Sequence, residues 1–302
     1  MRESAGFTCA MRKRQRNGPG AERKGKIHKN KKKFSSIKNI EKKFRFDIIK
    51  IAVLESVFQN GRMGTEMEKK ELLEKMKGQM IISCQAVKGE PLYVEEKSIM
   101  YLMARAAKQA GTPAIRTSSI RDVVAIKEET GLPVIGLVKI QYPGYESYIT
   151  PTMKEVDDLV AAGSDVIALD CTDRKRGDGK TASEFTKEVR AKYPDAILMA
   201  DISNYEEGIA AWKCGVDIVG TTMSGYTDYT SKKDEPDYEL MERLAADVDI
   251  PVIGEGKIHT PEQAVRALKT GAWAIVVGGA ITRPLEIAGR FMKAIEESRG
   301  AE

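Results

Sequence analysis

Residues 132–139 read LPVIGLVK and residues 250–257 read IPVIGEGK, so one apolar phrase occurs twice in the chain. The shared Pro-Val-Ile-Gly has the near-continuous apolar character of a parallel strand that is buried on both faces. The polar endings differ, because the first copy ends in Lys139 and the second places Glu255 two residues earlier in register, before Lys257. The repeat therefore predicts two equivalent strands that present different polar side chains at their ends.

Short apolar segments alternate with helical segments along most of the chain. Gly131 and Gly163 follow helical segments, where left-handed C-caps belong, and Asn204 and Thr260 are suited to helix N-caps. Eight such β–α units predict a single (β/α)8 TIM barrel, with a doubly wound open sheet as the alternative. The repeated strands are the third and the seventh, which lie opposite each other in an eight-stranded ring. The predicted strands are 80–85, 113–116, 133–139, 165–170, 196–201, 217–222, 251–255 and 273–278.

The formal net charge of +5 hides two opposite parts of the chain. Residues 1–62 hold 18 Lys and Arg against 5 Asp and Glu, whereas the remainder holds 31 against 39. A basic segment without helical or strand periodicity resists compaction, so residues 1–66 are predicted to be an extension of low order. A misplaced translation start would also explain why this segment precedes the barrel. Residues 67–302 are predicted to form the catalytic barrel. Nucleic-acid binding through the basic arm is the alternative from another functional class.

Several features favour a cytoplasmic location. There is no apolar run of 18 or more residues, and no apolar stretch with a cleavage site follows the basic N-terminus. The four cysteines are far apart and form no CxxC pair, which is typical of a reducing compartment. We therefore expect neither a membrane nor a disulfide framework.

Nearly every predicted strand ends in a hydrogen-bonding or charged residue. In a barrel these carboxyl ends meet on one rim, where the active sites of such enzymes lie. Cations and carboxylates gathered there shift each other's pKa values and are suited to acid–base chemistry near neutral pH. The residues are Gln85, Arg116, Lys139, Asp170, Asp201, Thr221 with Thr222, and Glu255. The loop TTMSGYT, residues 221–227, is a candidate lid with Gly225 as its hinge, or an ordinary turn.

The eighth unit predicts a phosphate site. Residues 276–284 read VVGGAITRP, in which a strand runs through Gly278 and Gly279 to Arg283 and then into a helix. Glycines let backbone N–H groups approach an anion, and the helix N-terminus favours negative charge. Arg283 can add a bidentate contact. The alternative is that the two glycines only make a tight turn.

Metal and cofactor chemistry is not expected. The chain has two histidines, and neither a P-loop nor a dinucleotide-binding fingerprint follows a strand. Asp170, Asp201 and Glu255 are suited to Mg²⁺, but Lys139 and Arg116 compete for the same negative charge. The residues therefore favour a site without a metal.

Nine segments resemble, in order, the motifs of the N-acetylmannosamine-6-phosphate 2-epimerase family. They are IISCQA, AIRTSS, PVIGLVKIQYPG, YITPT, IALDCT, MADIS, TTMSGYT, EGKI and VVGGAITRP, and they span about residues 80–295. The resemblance implies a TIM barrel that interconverts N-acetylmannosamine 6-phosphate and N-acetylglucosamine 6-phosphate without a redox cofactor. It places the protein in amino-sugar and sialic-acid catabolism.

The resemblance also implies roles for individual residues. The family's catalytic lysine corresponds to Lys139 and its acid to Glu255, whereas Lys257 receives no role. The other correspondences are Arg116 and Asp201 in catalysis, Gln85 at the sugar, and Gly278, Gly279 and Arg283 at the phosphate. The expected partners are a phosphorylated N-acetylhexosamine and a second copy in a homodimer, and not a nucleic acid or a membrane. A rival enzyme class is a phosphate-sugar aldolase in which Lys139 forms a Schiff base.

Overall fold

A closed barrel of eight parallel strands forms the centre of the protein. The computed structural model describes residues 66–299, so the predicted basic extension and its alternative role in nucleic-acid binding lie outside the described residues. Each strand pairs with the next along the sequence, and β8 pairs with β1. The predicted (β/α)8 barrel is confirmed and the open sheet is excluded. The strands are β1 Met80–Ser83, β2 Ile115–Ser118, β3 Val134–Leu137, β4 Val166–Asp170, β5 Ile197–Asp201, β6 Ile218–Gly220, β7 Val252–Glu255 and β8 Ala274–Val277.

A helix follows each strand, and one further helix precedes β1. Within the described range they are α1 Glu66–Met76, α2 Met100–Gln109, α3 Ile120–Thr130, α4 Met153–Ala161, α5 Ala182–Lys192, α6 Tyr205–Lys213, α7 Tyr238–Asp247, α8 Pro261–Lys269 and α9 Pro284–Arg299. Over that same part of the chain, no helix has both the length and the apolar character that crossing a bilayer requires.

The local signals at the helix ends behave as the sequence predicts. Gly131 and Gly163 have φ values of 64° and 75°, in the left-handed region that suits glycine. The Asn204 side chain accepts a hydrogen bond from the amide of Glu207 at the start of α6. Thr260 forms a capping box at the start of α8.

The core has two layers, separated by the barrel wall. Inward side chains from the strands, such as Ile135 and Ile253, pack together inside the barrel. Outward side chains, such as Val134 and Val252, pack in a second cluster that includes the inner faces of the helices. Val and Ile alternate in this way because successive residues of a strand point to opposite faces. The strands therefore read as continuous apolar runs.

The amino-terminal end of the barrel is closed by α1. Met76 is buried in the interior cluster, and the Trp273 indole N–H donates to the carbonyl of Leu73 at 2.8 Å. The chain turns into β1 through Gly78, whose φ is 68°. This closure leaves the opposite end of the barrel, where the strands finish, as the place for a ligand.

Several strand ends differ from the sequence prediction, because β1, β3, β6 and β8 end one or two residues earlier than predicted and β2 ends two residues later. Arg116 was predicted to be the last residue of the second strand, but β2 continues for two residues, which pair with Gly136 and Leu137 of β3. Arg116 therefore lies inside the barrel wall and not on its rim. Its side chain is the largest that is fully buried among the described residues.

Candidate active site

A cavity of about 270 Å³ lies at the carboxyl ends of the strands. Of the predicted site residues, the structure brings Gln85, Lys139, Glu255, Gly278 and Arg283 to its lining. Arg116 and Asp201 contact this group from inside the barrel. The structure thus gathers residues as far apart in the sequence as Gln85 and Arg283.

Arg116 and Asp201 form a buried ion pair beneath the cavity. The Arg116 Nη2 atom lies 2.6 Å from Asp201 Oδ2, and both side chains are almost fully excluded from solvent. Burial opposes the charge on Arg116, but Asp201 and Glu255 outweigh it and raise the pKa of the guanidinium. Breaking such a pair by removing one partner typically costs about 3–5 kcal/mol. Arg116 is therefore a permanent positive charge under the site.

Glu255 is the last residue of β7 and lies beside this pair. Its Oε2 atom is 3.3 Å from Arg116 Nε, and 14% of its side chain is exposed. Burial raises the pKa of Glu255, Arg116 opposes that change, and the negative charge of Asp201 adds to it. The environment favours a protonated carboxyl, which can act as an acid.

Lys139 reaches the cavity from the opposite strand. It lies two residues beyond β3 and pairs with Ile149, on the loop that folds back over the strand end. Burial lowers the pKa of Lys139, and the nearby charges of Arg283 and Arg116 lower it further. These effects favour the neutral amine, which can act as a base.

Asp170 ends β4 as predicted, but its carboxylate binds neighbouring loop residues of the protein and does not face the cavity. Asp170 Oδ2 accepts a hydrogen bond from the Tyr148 amide at 3.0 Å and pairs with Arg174. Tyr148 and Ile149 in turn line the cavity. Asp170 therefore positions the loop after β3 and does not itself line the cavity.

The predicted phosphate end is only partly assembled at the cavity. Gly278 and Arg283 line it, whereas Gly279 does not, and a Cβ on Gly279 would lie 2.0 Å from Glu286 Oε2. The guanidinium of Arg283 pairs with Glu90 at 3.1 Å and with Glu286 at 2.9 Å. Both glycines precede α9, whose N-terminus favours an anion.

Gln85 has an unused hydrogen-bond acceptor. Its side-chain N–H donates to Ser83 Oγ at 2.9 Å, while Oε1 has no partner among the described residues. The residue is 6% exposed and lines the cavity. A buried acceptor without a partner is unfavourable in the free protein, so a ligand that donates to it gains affinity.

Two further polar side chains lie in the cavity, of which the sequence placed Thr222 on the rim without a specific role and gave Lys257 no role. Thr222 follows β6 and contacts both Asp201 and Glu255. Lys257 has a φ of 57°, and its Nζ atom lies 3.4 Å from the carbonyl of Ser224. The signals for these residues are the strand-end position of Thr222 and the place of Lys257 in the repeated phrase.

The loop after β6 covers one side of the cavity. Tyr226 lines the cavity, with the Lys257 ammonium 4.9 Å from the centre of its ring. The Gly225 amide donates to Thr230 Oγ1 at 3.2 Å, and Gly225 itself has a φ of 74°. A side chain at 225 would also meet the Lys257 ammonium, since a Cβ there would lie 2.2 Å from it. Movement of this loop as a lid stays a prediction.

Fold and site together define an enzyme of the (β/α)8-barrel class, with titratable side chains gathered at the carboxyl ends of its strands. Residues 100–297 match the family described as "Putative N-acetylmannosamine-6-phosphate epimerase". That match spans well over half of the chain. This chain belongs to the N-acetylmannosamine-6-phosphate epimerase family, as its motifs predict.

Individual relatives support the same assignment. Two that are described as "Putative N-acetylmannosamine-6-phosphate 2-epimerase" come from Caldanaerobacter subterraneus subsp. tengcongensis and Clostridioides difficile. The first is 52% identical over 229 residues, which cover 76% of this chain and 96% of the relative. The second is 48% identical over 225 residues, which cover 74% and 99%. A solved structure of the N-acetylmannosamine-6-phosphate 2-epimerase from Clostridium perfringens is 49% identical, with a TM-score of 0.70 over 74% of this chain and 96% of that one.

Proposed function

We propose that this protein interconverts N-acetylmannosamine 6-phosphate and N-acetylglucosamine 6-phosphate by inverting carbon C2. The observation that carries the proposal is that the side chains of Lys139 and Glu255 lie on opposite sides of one cavity. The two side chains line one cavity from opposite strands, and their pKa values are displaced in opposite directions. Family membership supports the choice of substrate.

Inversion of C2 requires the proton to leave one face of the carbon and a proton to return to the other, which a base and an acid on opposite sides of C2 achieve. The C2–H bond is acidic only when C1 is an open-chain aldehyde, so the sugar ring must open first. Removal of the C2 proton then leaves an enolate, whose oxyanion needs nearby positive charge or hydrogen-bond donors. Return of a proton to the other face completes the inversion.

In our proposal Lys139 takes the proton from C2 and Glu255 gives a proton to the opposite face. The electron pair of the C2–H bond moves into the enolate and returns to form the new C2–H bond. Lys139 ends as an ammonium and Glu255 as a carboxylate, and exchange with solvent restores both. In the reverse reaction the two residues exchange roles.

Arg116, Asp201 and Gln85 are proposed to orient the substrate. The permanent charge of Arg116 favours an oxyanion nearby, and its pairing with Asp201 fixes the guanidinium in one place. The free Oε1 of Gln85 suits a donor such as a sugar hydroxyl or the acetamido N–H. These contacts hold C2 between the base and the acid.

The phosphate is proposed to bind at Gly278, Gly279 and Arg283, before α9. The support is the position of Gly278 and Arg283 on the cavity and the helix N-terminus that follows them. Arg283 already pairs with Glu90 and Glu286, so it is held in place before the substrate arrives. Binding energy from this remote group helps to fix the reacting carbon.

Deuterium exchange tests the proposed function. We expect N-acetylmannosamine 6-phosphate incubated with the protein in D₂O to yield N-acetylglucosamine 6-phosphate that carries deuterium at C2. Turnover without deuterium at C2 would exclude deprotonation. Lys139→Met should abolish both product and exchange. Borohydride with substrate should trap no adduct, since a trapped Lys139 adduct would indicate the rival aldolase chemistry.

We also propose that the protein is a homodimer that forms through α9. Along its described length no residue of α9 is buried, and Leu285, Phe291 and Met292 are 64%, 68% and 67% exposed. Apolar side chains grouped on one helix mark an interaction surface, and a second copy of the same helix is a self-complementary partner. We expect a dimer in analytical ultracentrifugation that Phe291→Glu makes monomeric. The matched control is Leu102→Glu on α2, which should stay dimeric, and a monomeric parent protein would overturn the proposal.

The predicted cytoplasmic location is likewise kept as a proposal. Cys84, Cys171 and Cys214 are free thiols, which is typical of a reducing compartment. Burial raises the pKa of Cys84 and of Cys171 to about 12, so both stay protonated and unreactive. Thiol titration of the denatured protein, isolated from cells without reductant, should find Cys84, Cys171 and Cys214 all as free thiols, and a disulfide among them would contradict this location.

A further inference from the structure

The Thr222 hydroxyl lies between two carboxyl groups of the site. Its Oγ1 atom is 2.7 Å from Asp201 Oδ1 and 3.0 Å from Glu255 Oε2, both within hydrogen-bond range. Thr222 follows the short strand β6 and lines the cavity. Thr222 therefore links the carboxyl groups of Asp201 and Glu255 directly.

A threonine hydroxyl has one hydrogen, so it can donate to only one of these carboxyl groups. If both groups were ionised, the other contact would bring two oxygen atoms together without a hydrogen between them. If Glu255 carries a proton, the contacts form a chain in which Glu255 donates to Thr222 and Thr222 donates to Asp201. Both contacts are hydrogen bonds only if one of the two carboxyl groups is protonated, and the neighbours of each group indicate which one.

The hydrogen bonds of Arg116 agree with this assignment. Its Nη2 atom donates to Asp201 Oδ2, so Asp201 receives hydrogen bonds from a cation and from a hydroxyl. The Nε atom lies 3.3 Å from Glu255 Oε2 but has no hydrogen-bond partner among the described residues. The direct hydrogen bond of the guanidinium therefore goes to Asp201, which is the ionised member of the pair.

We propose that Thr222 is a positioning residue that keeps Glu255 in its protonated form, by accepting a hydrogen bond from Glu255 while donating its own to Asp201. This inference rests on the proposed function, in which Glu255 supplies the proton to C2. When Glu255 has given up that proton, the hydroxyl is free to turn and donate to the new carboxylate. Thr222 itself gains and loses no proton.

Within the described part of the chain, four other groups face Glu255 and act on its charge. They are Arg116 from β2, Lys139 beyond β3, Asp201 from β5, and Tyr226 from the loop after β6. Burial and Asp201 favour the neutral carboxyl, while Arg116, Lys139 and a hydrogen bond donated by Thr222 favour the carboxylate. Because these effects oppose one another, a single hydrogen bond can decide which form of Glu255 is present.

The proposal is tested by the direction in which the pKa of Glu255 changes when the Thr222 hydroxyl is removed. Protonated Glu255 allows two hydrogen bonds through the hydroxyl and ionised Glu255 allows one, so losing the hydroxyl should make Glu255 ionise more readily. A hydroxyl that acted only as a donor to the carboxylate would have the opposite effect, and its loss would raise the pKa of Glu255. The two arrangements therefore predict shifts of opposite sign.

The experiment compares Thr222→Val, Thr222→Ser and the parent protein in C2 exchange across pH. We expect the alkaline limb of the valine variant to move down by roughly one pH unit, and the serine variant to restore it. Thr270→Val is the matched control, because its hydroxyl donates to the Ala267 carbonyl at the carboxyl end of α8, and it should leave the alkaline limb in place. If the valine variant does not fold, Thr222→Ala is expected to give the same shift.

An infrared titration gives a readout that does not depend on activity. A protonated-carboxyl band at neutral pH should be present in the parent protein, absent in Glu255→Gln, and lost at lower pH in Thr222→Val than in the parent. An unchanged or upward shift would overturn the role of Thr222. Lack of exchange in the parent protein would instead refute the proposed function, and the infrared titration would still decide the role of Thr222.

Discussion

The two copies of Pro-Val-Ile-Gly share one scaffold and differ in the residues after the glycine. In both copies the valine packs against the outer helices, as Val134 and Val252 do, and the isoleucine points into the barrel, as Ile135 and Ile253 do. The pleat is therefore the same in β3 and β7. The shared residues form the barrel strands, and the residues that follow the glycine determine the chemistry of each strand end.

Those later positions separate the two strands. At the next inward position β3 has the buried Leu137, and β7 has Glu255. Two residues further on, Lys139 pairs with Ile149 in an extended conformation, whereas Lys257 adopts a φ of 57°. A lysine at the same place in both copies thus lies in two different environments. The repeated sequence therefore identifies two equivalent strands, but it does not show which of the two lysines is the base.

Replacing each lysine in turn gives the largest expected difference between the two copies. We expect Lys139→Met to lower the exchange rate by about 10³-fold or more, since a general base contributes at least 10²-fold and is here the main one. Lys257→Met should lower it by less than about tenfold, because its ammonium contacts Ser224 and Tyr226 of the neighbouring loop. C2 exchange measured by NMR checks both values. Equal losses would show that the two lysines are not chemically distinct.

Replacing the acid has the next largest expected effect. Glu255→Gln keeps the shape of the side chain but removes the proton donor, so we expect a loss of about 10²-fold in epimerisation. Leu137→Met, at the equivalent position of β3, is the control and should change the rate little, because it conserves volume within the core. A Glu255→Gln variant with full activity would refute the acid assigned here.

The pH dependence sharpens the contrast between the two lysines. Neutral Lys139 is the base, so the rate should rise as the pH rises through a Lys139 pKa that burial, Arg283 and Arg116 have lowered. Protonated Glu255 is the acid, so the rate should fall as the pH rises through its elevated pKa. Lys257→Met should keep both limbs of this bell-shaped profile. If the acid limb of the pH profile disappears in Lys257→Met, the base is Lys257 and not Lys139.

The shared glycines give the smallest expected difference, and it concerns stability. A Cβ on Gly136 would lie 2.2 Å from Ser164 Oγ and 3.0 Å from Leu159, whereas one on Gly254 would lie 2.9 Å from the sulfur of Met241. Gly136→Ala should destabilise the protein by roughly 1–3 kcal/mol, and Gly254→Ala by less, because methionine adapts its shape. Denaturant unfolding of the two variants checks this order, which the reverse ranking would contradict.

The fold was predictable because its signals are local and repeated. Alternation of apolar strands with capped helices, as at Gly131 and Asn204, identifies eight units without any knowledge of contacts between them. The strand ends were less certain, since the length of a strand depends on its neighbour. Arg116 became a buried charge because β2 continues its pairing with Gly136 and Leu137 of β3.

The site was predictable as a set of residues but not as a set of contacts. Strand-end position and motif identified Lys139 and Glu255, which do share the cavity. They did not reveal that Asp170 holds a loop, or that Glu286 is the close neighbour of Gly279. Those contacts depend on loop paths and on side chains from distant parts of the chain, which no local pattern records.

The unpaired oxygen of Gln85 has a consequence for inhibitor design. Most polar groups in a binding cavity offer little gain, since a ligand must replace hydrogen bonds that the protein already makes. Gln85 Oε1 has no such bond to give up among the described residues, so an inhibitor with an N–H group placed against it gains the interaction in full. A matched pair of compounds, with N–H in one and CH₂ in the other, should differ in affinity by about tenfold or more.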